Sequence, residues 1–358
     1  MPVDIRARKL ANLAVNYSVQ AKPGEKVIIS GGVEAIPFLT ELYKAVILAK
    51  AIPIVKVALP DTSDFFLKYA NKDQLEHFPQ YWYDTIKQAQ CYIGVDTDLN
   101  TRELTSADSE KITLRQKVNQ PISNYVNNER DKIRRVTIAY PCIAYAQEAS
   151  KSLTEWENFI YQSCLIDWKK FGKFLDKVKS KFKENSSVHL IGENVDLKMR
   201  VHGKLCKADK GEENMPGGEI FMAPIRESLE GWIKFDYPRI VSGKRLAGVK
   251  LVFKKGKVVE FSAEEGQDLL KSLLNTDDNS SYVGELGIGC NPGINFYTNS
   301  LLFDEKIHGT IHLALGMAYK DNGGGNDSAI HVDIVKDMTQ GKIIVDNKII
   351  QQNGKWKL

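Results

Sequence analysis

The chain has 358 residues, 43% of them apolar and 26% charged, and a formal net charge of +4. This is the balance of an ordinary soluble globular protein, long enough for two domains or one large one. No run approaches the roughly 20 apolar residues that a membrane helix needs. No basic stripe interleaved with aromatics supports nucleic-acid binding.

In chain order, the first half alternates helix and strand. Ile5, Leu10, Leu13, Ala14 and Tyr17 give a helix over 4–20. Pro23-Gly24 marks a turn before a buried strand at 26–30. Phe38, Leu39, Leu42, Ala45 and Val46 form the stripe of a helix over about 35–50, and a strand follows at 52–59. Helical patterns near 63–70 and 79–89 lead to strands at 91–95 and 135–140. Strands separated by helices imply a parallel sheet with covered faces. No GxGxxG or Walker loop supports a nucleotide site there. A long amphipathic helix is expected over 153–183, with Trp156, Phe159, Ile160, Cys164, Trp168, Phe171 and Phe174 on its inner side. The lysines at 169–183 then read as its solvated face.

Strands dominate the second half, at 187–191, 196–201, 220–223, 232–237, 239–241, 248–253 and 257–261. Helices are expected near 263–275 and 308–319, and a terminal hairpin over 343–351. The composition shift divides the chain into an α/β N-terminal domain over 1–183, including the connecting helix, and a β-rich α+β domain over 184–358. Cys91, Cys142, Cys164, Cys206 and Cys290 form no CxxC pair. Their odd number, with charges at Asp4, Arg6, Arg8 and Lys9 and no leader, fits a reducing, cytoplasmic setting in which each is a small buried hydrophobe.

Four stretches of the second half carry polar residues in apolar settings. In 328–334, strand alternation puts Ile330, Val332 and Ile334 on one side and His331 and Asp333 on the other. An imidazole beside a carboxylate suits zinc, cobalt or manganese. A flexible Gly-rich run, 321–327, precedes the pair. In 214–221, two glycines precede Glu219, which opens an apolar strand. In 284–293, Glu285 shares a strand face with Gly287 and Gly289, leaving room beside a carboxylate. In 303–319, His312 and Tyr319 share a face if the segment is helical. Taken singly, Glu219 also reads as a surface group, His312 as a satisfied core residue and Tyr319 as packing.

The blocks 214–221, 284–293, 312–316 and 328–333, in that order, resemble the signature segments of the thermophilic metalloaminopeptidase family, of aminopeptidase T and aminopeptidase S type. The segments 9–18 and 22–27 are similar to the same family. The resemblance implies an exopeptidase with two divalent ions (Zn, Co, Mn or Mg) acting on peptides with a free N-terminus. It also implies a homodimer and a catalytic C-terminal domain. Its metal ligands fall on Glu219, Glu285, His312, His331 and Asp333, and its active-site tyrosine on Tyr319. A further acidic ligand falls on Glu305, although the spacing to His312 is two residues longer here than in many members. Glu285 is the first choice for the base that takes a proton from water, and Glu219 the second. The chain is also shorter than many members between His312 and His331.

Three other readings use the same residues. A two-metal phosphoesterase would add a basic group for phosphate, with Arg226 the nearest candidate. A homologue without catalysis would bind metal and turn nothing over. A purely structural set of ion pairs would be indifferent to chelators.

Overall fold

A computed structural model describes residues 4–241 and 243–358. The chain divides into two compact units. The first holds the chain up to Leu165 together with Gly211–Gly217; the second holds Ile166–Lys210 and Gly218–Leu358.

The first unit is built on a five-stranded parallel sheet, in the order Ile52–Ala58, Lys26–Gly32, Cys91–Asp96, Arg134–Ala139, Asn214–Met215. Val27, Ile28 and Ile29 are all buried, as a strand with two covered faces requires. The helix Ile36–Leu48 buries the expected Phe38, Leu39, Leu42, Ala45 and Val46. The opening helix runs Ile5–Leu13 and continues as a wider π turn over Ala14–Ser18. One long helix, Ser109–Asn128, had no clear sequence signal. It buries no residue fully and carries Pro121 inside. Only Ile122, Tyr125 and Val126 lean on the small core of Ile28, Ile86, Ala89 and Ile133.

The expected connecting helix over 153–183 is two helices, Leu153–Cys164 and Trp168–Lys179. Ser152 and Glu155 form a capping box on the first, and the Asp167 carboxylate accepts from the Lys170 N–H to start the second. A cap in mid-pattern ends one helix and begins another, although the apolar stripe runs on. The longer segment of the first unit ends in this break, at Leu165.

The second unit contains two larger antiparallel sheets. The eight-stranded sheet runs Lys257–Ser262, Lys250–Lys254, Glu230–Lys234, Val195–His202, Glu184–Gly192, Lys342–Val345, Lys348–Gln352, Lys355–Trp356. Asp346 and Asn347, both at positive φ, turn the expected terminal hairpin. The five-stranded sheet runs His331–Asp337, Thr310–Gly316, Val283–Gly289, Glu219–Met222, Lys207–Ala208. One core joins them: Val188, Leu190, Leu197, Leu251 and Ile343 from the larger sheet meet Ile220, Leu286, Ile288, Leu313, Val332 and Ile334 from the smaller.

The segment expected as a helix over 308–319 is instead the strand Thr310–Gly316, hydrogen-bonded on both sides. Short apolar runs do not distinguish the two periods, and a strand covered on both faces has no polar side to betray it. Gly309 and Gly316, at φ +85° and +93°, bracket the segment with conformations that L side chains rarely adopt. All five cysteines are buried and none forms a disulfide. Among the described residues, no helix is long and apolar enough to cross a membrane.

Candidate metal centre

The register of the smaller sheet assembles the site. Its inner strands put Ile220, Met222, Leu286, Ile288, Ile311, Leu313 and Leu315 into the core, so Glu219, Glu285, Gly287, Gly289, His312 and Ala314 take the opposite face. Glu285 pairs with Ala314, and Ala314 with Asp333, so two carboxylates lie on one row with only a methyl group between them. His312 lies two residues before Ala314 and pairs with Gly287. A Cβ on Gly287 would stand 2.0 Å from His312 Cε1 and Nε2. The glycine is therefore the space that the imidazole fills.

The donors converge. One ligand atom each from Glu285, His312 and Asp333 lie within 4.8 Å of one another, all three residues buried. His312 Nε2 is 3.4 Å from Glu219 Oε2 and 3.5 Å from Glu285 Oε1. His331 Nε2 is 3.4 Å from Asp333 Oδ2. His331 Nδ1–H donates to the Met317 carbonyl at 2.8 Å, which fixes the tautomer and leaves Nε2 as the donor facing the site. Asn322 Nδ2 donates to Glu285 Oε2 at 3.0 Å and orients that carboxylate. Tyr319 lies beyond the strand, so it shares no helical face with His312. Its ring instead sits against that of His331, with centroids 5.0 Å apart.

Glu305 reaches the cluster through a residue that the sequence did not point to. Lys306 is almost wholly buried at 1% exposure. Its Nζ is 3.0 Å from Glu219 Oε1, 3.3 Å from Glu305 Oε2 and 4.0 Å from Asp209 Oδ2. Asn322 was also missed, inside the loop read as flexible. That loop is pinned: Asn322 is fully buried, and Asn326 Nδ2 donates to the carbonyls of Gly316 and Asn279 at 2.6 and 2.9 Å. The faint signal for Lys306 was a lysine set among Leu301, Leu302, Phe303 and Ile307. Nothing local marked Asn322.

The electrostatics are those of a crowded acidic cluster. Burial alone would depress His312, but Glu285 and Glu219 raise it to about 10. Burial likewise opposes charge on His331, while Asp333 raises it to about 9. Burial would raise Asp333, yet the hydrogen bond and charge of His331 hold it at about 2. Burial pushes Glu305 up to about 8 despite Lys306, and raises Glu285 despite its contact with His312.

Arg226 is engaged elsewhere, its Nη2 donating to Asn279 Oδ1 at 2.6 Å and its guanidinium lying over the Tyr282 ring. The phosphate-binding role considered for it gains no support.

Imidazole and carboxylate donors gathered on one sheet face are the ligand set of a divalent metal site. The family described as thermophilic metalloprotease (M29) matches residues 3–356, and the chain belongs to it. It is 26% identical to aminopeptidase AmpS of Bacillus subtilis (strain 168), over 97% of each chain. It is 27% identical to aminopeptidase T of Thermus thermophilus, over 91% of this chain and 90% of that one. In structure it matches wild-type AmpT from Thermus thermophilus at a TM-score of 0.82 and 22% identity, covering 99% of both chains. It matches 2,5-dihydroxypyridine dioxygenase from Pseudomonas putida KT2440 at 0.63 and 13% identity, over 99% of this chain and 98% of that one. At these identities the structural likeness is one of fold alone.

The family implies a divalent metal ion, and the residues fit one. Both ring nitrogens of His312 and Oδ1 of Asp333 are buried without a well-aligned hydrogen-bond partner. Buried polar atoms are seldom left so in a stable fold unless something else satisfies them.

Proposed function

We propose that the chain is a metal-dependent aminopeptidase, removing amino acids one at a time from peptides with a free N-terminus. The observation that carries this reading is the meeting of Glu285, His312 and Asp333 from three adjacent strands. These three, with His331 Nε2 beside Asp333, would hold a divalent ion; the mixed oxygen and nitrogen set suits zinc, cobalt, manganese or magnesium. When bound, such an ion supplies Lewis acidity and lowers the pKa of water toward neutrality.

The side chains around it carry the rest. Glu285 accepts the proton from water. Burial lifts its pKa toward the working range of a general base, and Asn322 holds one of its oxygens so that the other faces the site. Glu219 serves less well, because Lys306 already takes its Oε1. Tyr319, whose ring packs on that of His331, would offer its hydroxyl to the developing oxyanion. The surplus of carboxylates favours a substrate that brings a positive α-ammonium over one with an acylated terminus. The family resemblance implies a metal pair, with Glu219 and Glu305 as further ligands. The family resemblance supports a homodimer, and the buried cysteines, none in a disulfide, fit a cytoplasmic protein.

The test is a panel of dipeptides and aminoacyl p-nitroanilides with free and acetylated N-termini, assayed before and after EDTA treatment. Cleavage confined to free termini, lost with EDTA and restored by metal, is expected. Equal cleavage of acetylated substrates, or activity untouched by EDTA, rejects the reading.

A further inference from the structure

We infer that Lys306 is a built-in cation standing where a second metal ion would sit, so that the centre binds one ion per chain. The inference rests on the metal-centre reading above. Lysine is rarely buried completely, and a buried ammonium persists only where opposite charge surrounds it. Here Nζ lies 3.0 Å from Glu219 Oε1, 3.3 Å from Glu305 Oε2 and 4.0 Å from Asp209 Oδ2, at 1% exposure. Two of these carboxylates, Glu219 and Glu305, are those that a second ion would have to recruit.

Glu219 shows the arrangement most directly. Its Oε1 faces Lys306, and its Oε2 lies 3.4 Å from His312 Nε2. It bridges a fixed positive charge and an imidazole donor, as a bridging carboxylate would span two metals. A second divalent ion on Glu219 and Glu305 would either sit against the ammonium or expel it. Expulsion is resisted by the backbone: Lys306 N–H donates to the Phe303 carbonyl at 2.9 Å, and the Lys306 carbonyl accepts from Asn291 N–H at 3.1 Å. The remaining donors, Glu285, His312 and Asp333 with His331 beside them, make a ligand set for one ion.

The experiment counts metal. Wild-type protein is stripped with chelator, loaded with excess Mn²⁺, desalted and measured by elemental analysis and electron paramagnetic resonance. One Mn²⁺ per chain with an uncoupled signal is expected, and the same for Lys306→Arg, which keeps the charge. Lys306→Met, confirmed as folded by circular dichroism, is expected to take up two ions with a spin-coupled signal. Two ions in the wild type overturn the inference alone, whether or not Lys306→Met folds. A folded Lys306→Met that still binds one ion also overturns it. No bound ion in any form removes the metal-centre reading and this inference with it.

Discussion

Replacing Gly287 with alanine adds one methyl group at a point where the fold leaves no space. The new Cβ would stand 2.0 Å from the His312 ring, against about 3.4 Å for ordinary contact, so the ring must retreat by about 1.4 Å. The backbone offers little relief, since the Gly287 strand is paired on both sides, with Phe221 and His312 opposite that position. Overpacking of this kind costs roughly 1–3 kcal/mol, and about 2–4 °C of melting temperature follows per kcal/mol in a unit of this size. The larger effect falls on the metal. Losing the orientation of one ligand typically lowers affinity by about 10–100-fold, or about 1.4–2.7 kcal/mol. Calorimetric titration of Gly287→Ala with Zn²⁺ measures it. Gly325→Ala is the control, because a Cβ there meets nothing within 4 Å. In a His312→Ala background the clash partner is gone, so the stability cost of Gly287→Ala should shrink, and a double-mutant cycle reads that coupling. Wild-type metal affinity and melting temperature in Gly287→Ala would refute the reasoning.

Glu285→Gln should lower kcat by roughly 10²–10⁴-fold without loss of fold, since burial already disfavours the charge it removes; steady-state kinetics on an aminoacyl p-nitroanilide decide it, and unchanged turnover excludes Glu285 as base. Ala314→Leu projects a branched side chain between Glu285 and Asp333, and metal affinity should drop by at least about tenfold, measured by calorimetric titration. Metal affinity should rise with pH between about 6 and 9: His312 and His331, raised to about 10 and about 9 in the ion-free protein, must lose protons to bind. Calorimetry in buffers of different ionisation enthalpy counts those protons, and zero release contradicts the assignment. For ion-free stability the signs are opposite for the two residue types. The His331 contribution is complete below its unfolded pKa near 6.5 and is lost as pH rises through about 9. That of Asp333 is complete above about 4 and is lost as pH falls through about 2. Thermal melts of chelated protein across pH 2–10 test both.

Much of this centre could be read from the chain because it is written in period two. His331 and Asp333 flank Val332, and Glu285 precedes two glycines at the same alternation, so strand geometry alone set them on one face. His312 was picked out on the wrong scaffold: a strand with no polar side imitates a helix, and its proper face emerged only with its two partners. Lys306 and Asn322 act through contacts 87 and 37 residues away in sequence, at Glu219 and Glu285. No local pattern encodes such distances. The helix break at Leu165 was hidden for the converse reason, since a single capping aspartate outweighs an uninterrupted apolar stripe.

The row of Glu285, Ala314 and Asp333 has one more consequence. Neighbouring strands in a sheet are held about 4.8 Å apart, so the jaws of this clamp are fixed by main-chain pitch, and only the side chains can flex. Ions of similar radius should therefore exchange without remodelling the protein, whereas a large cation such as Ca²⁺, which wants six to eight oxygens at longer distances, should find the grip too narrow and too poor in oxygen.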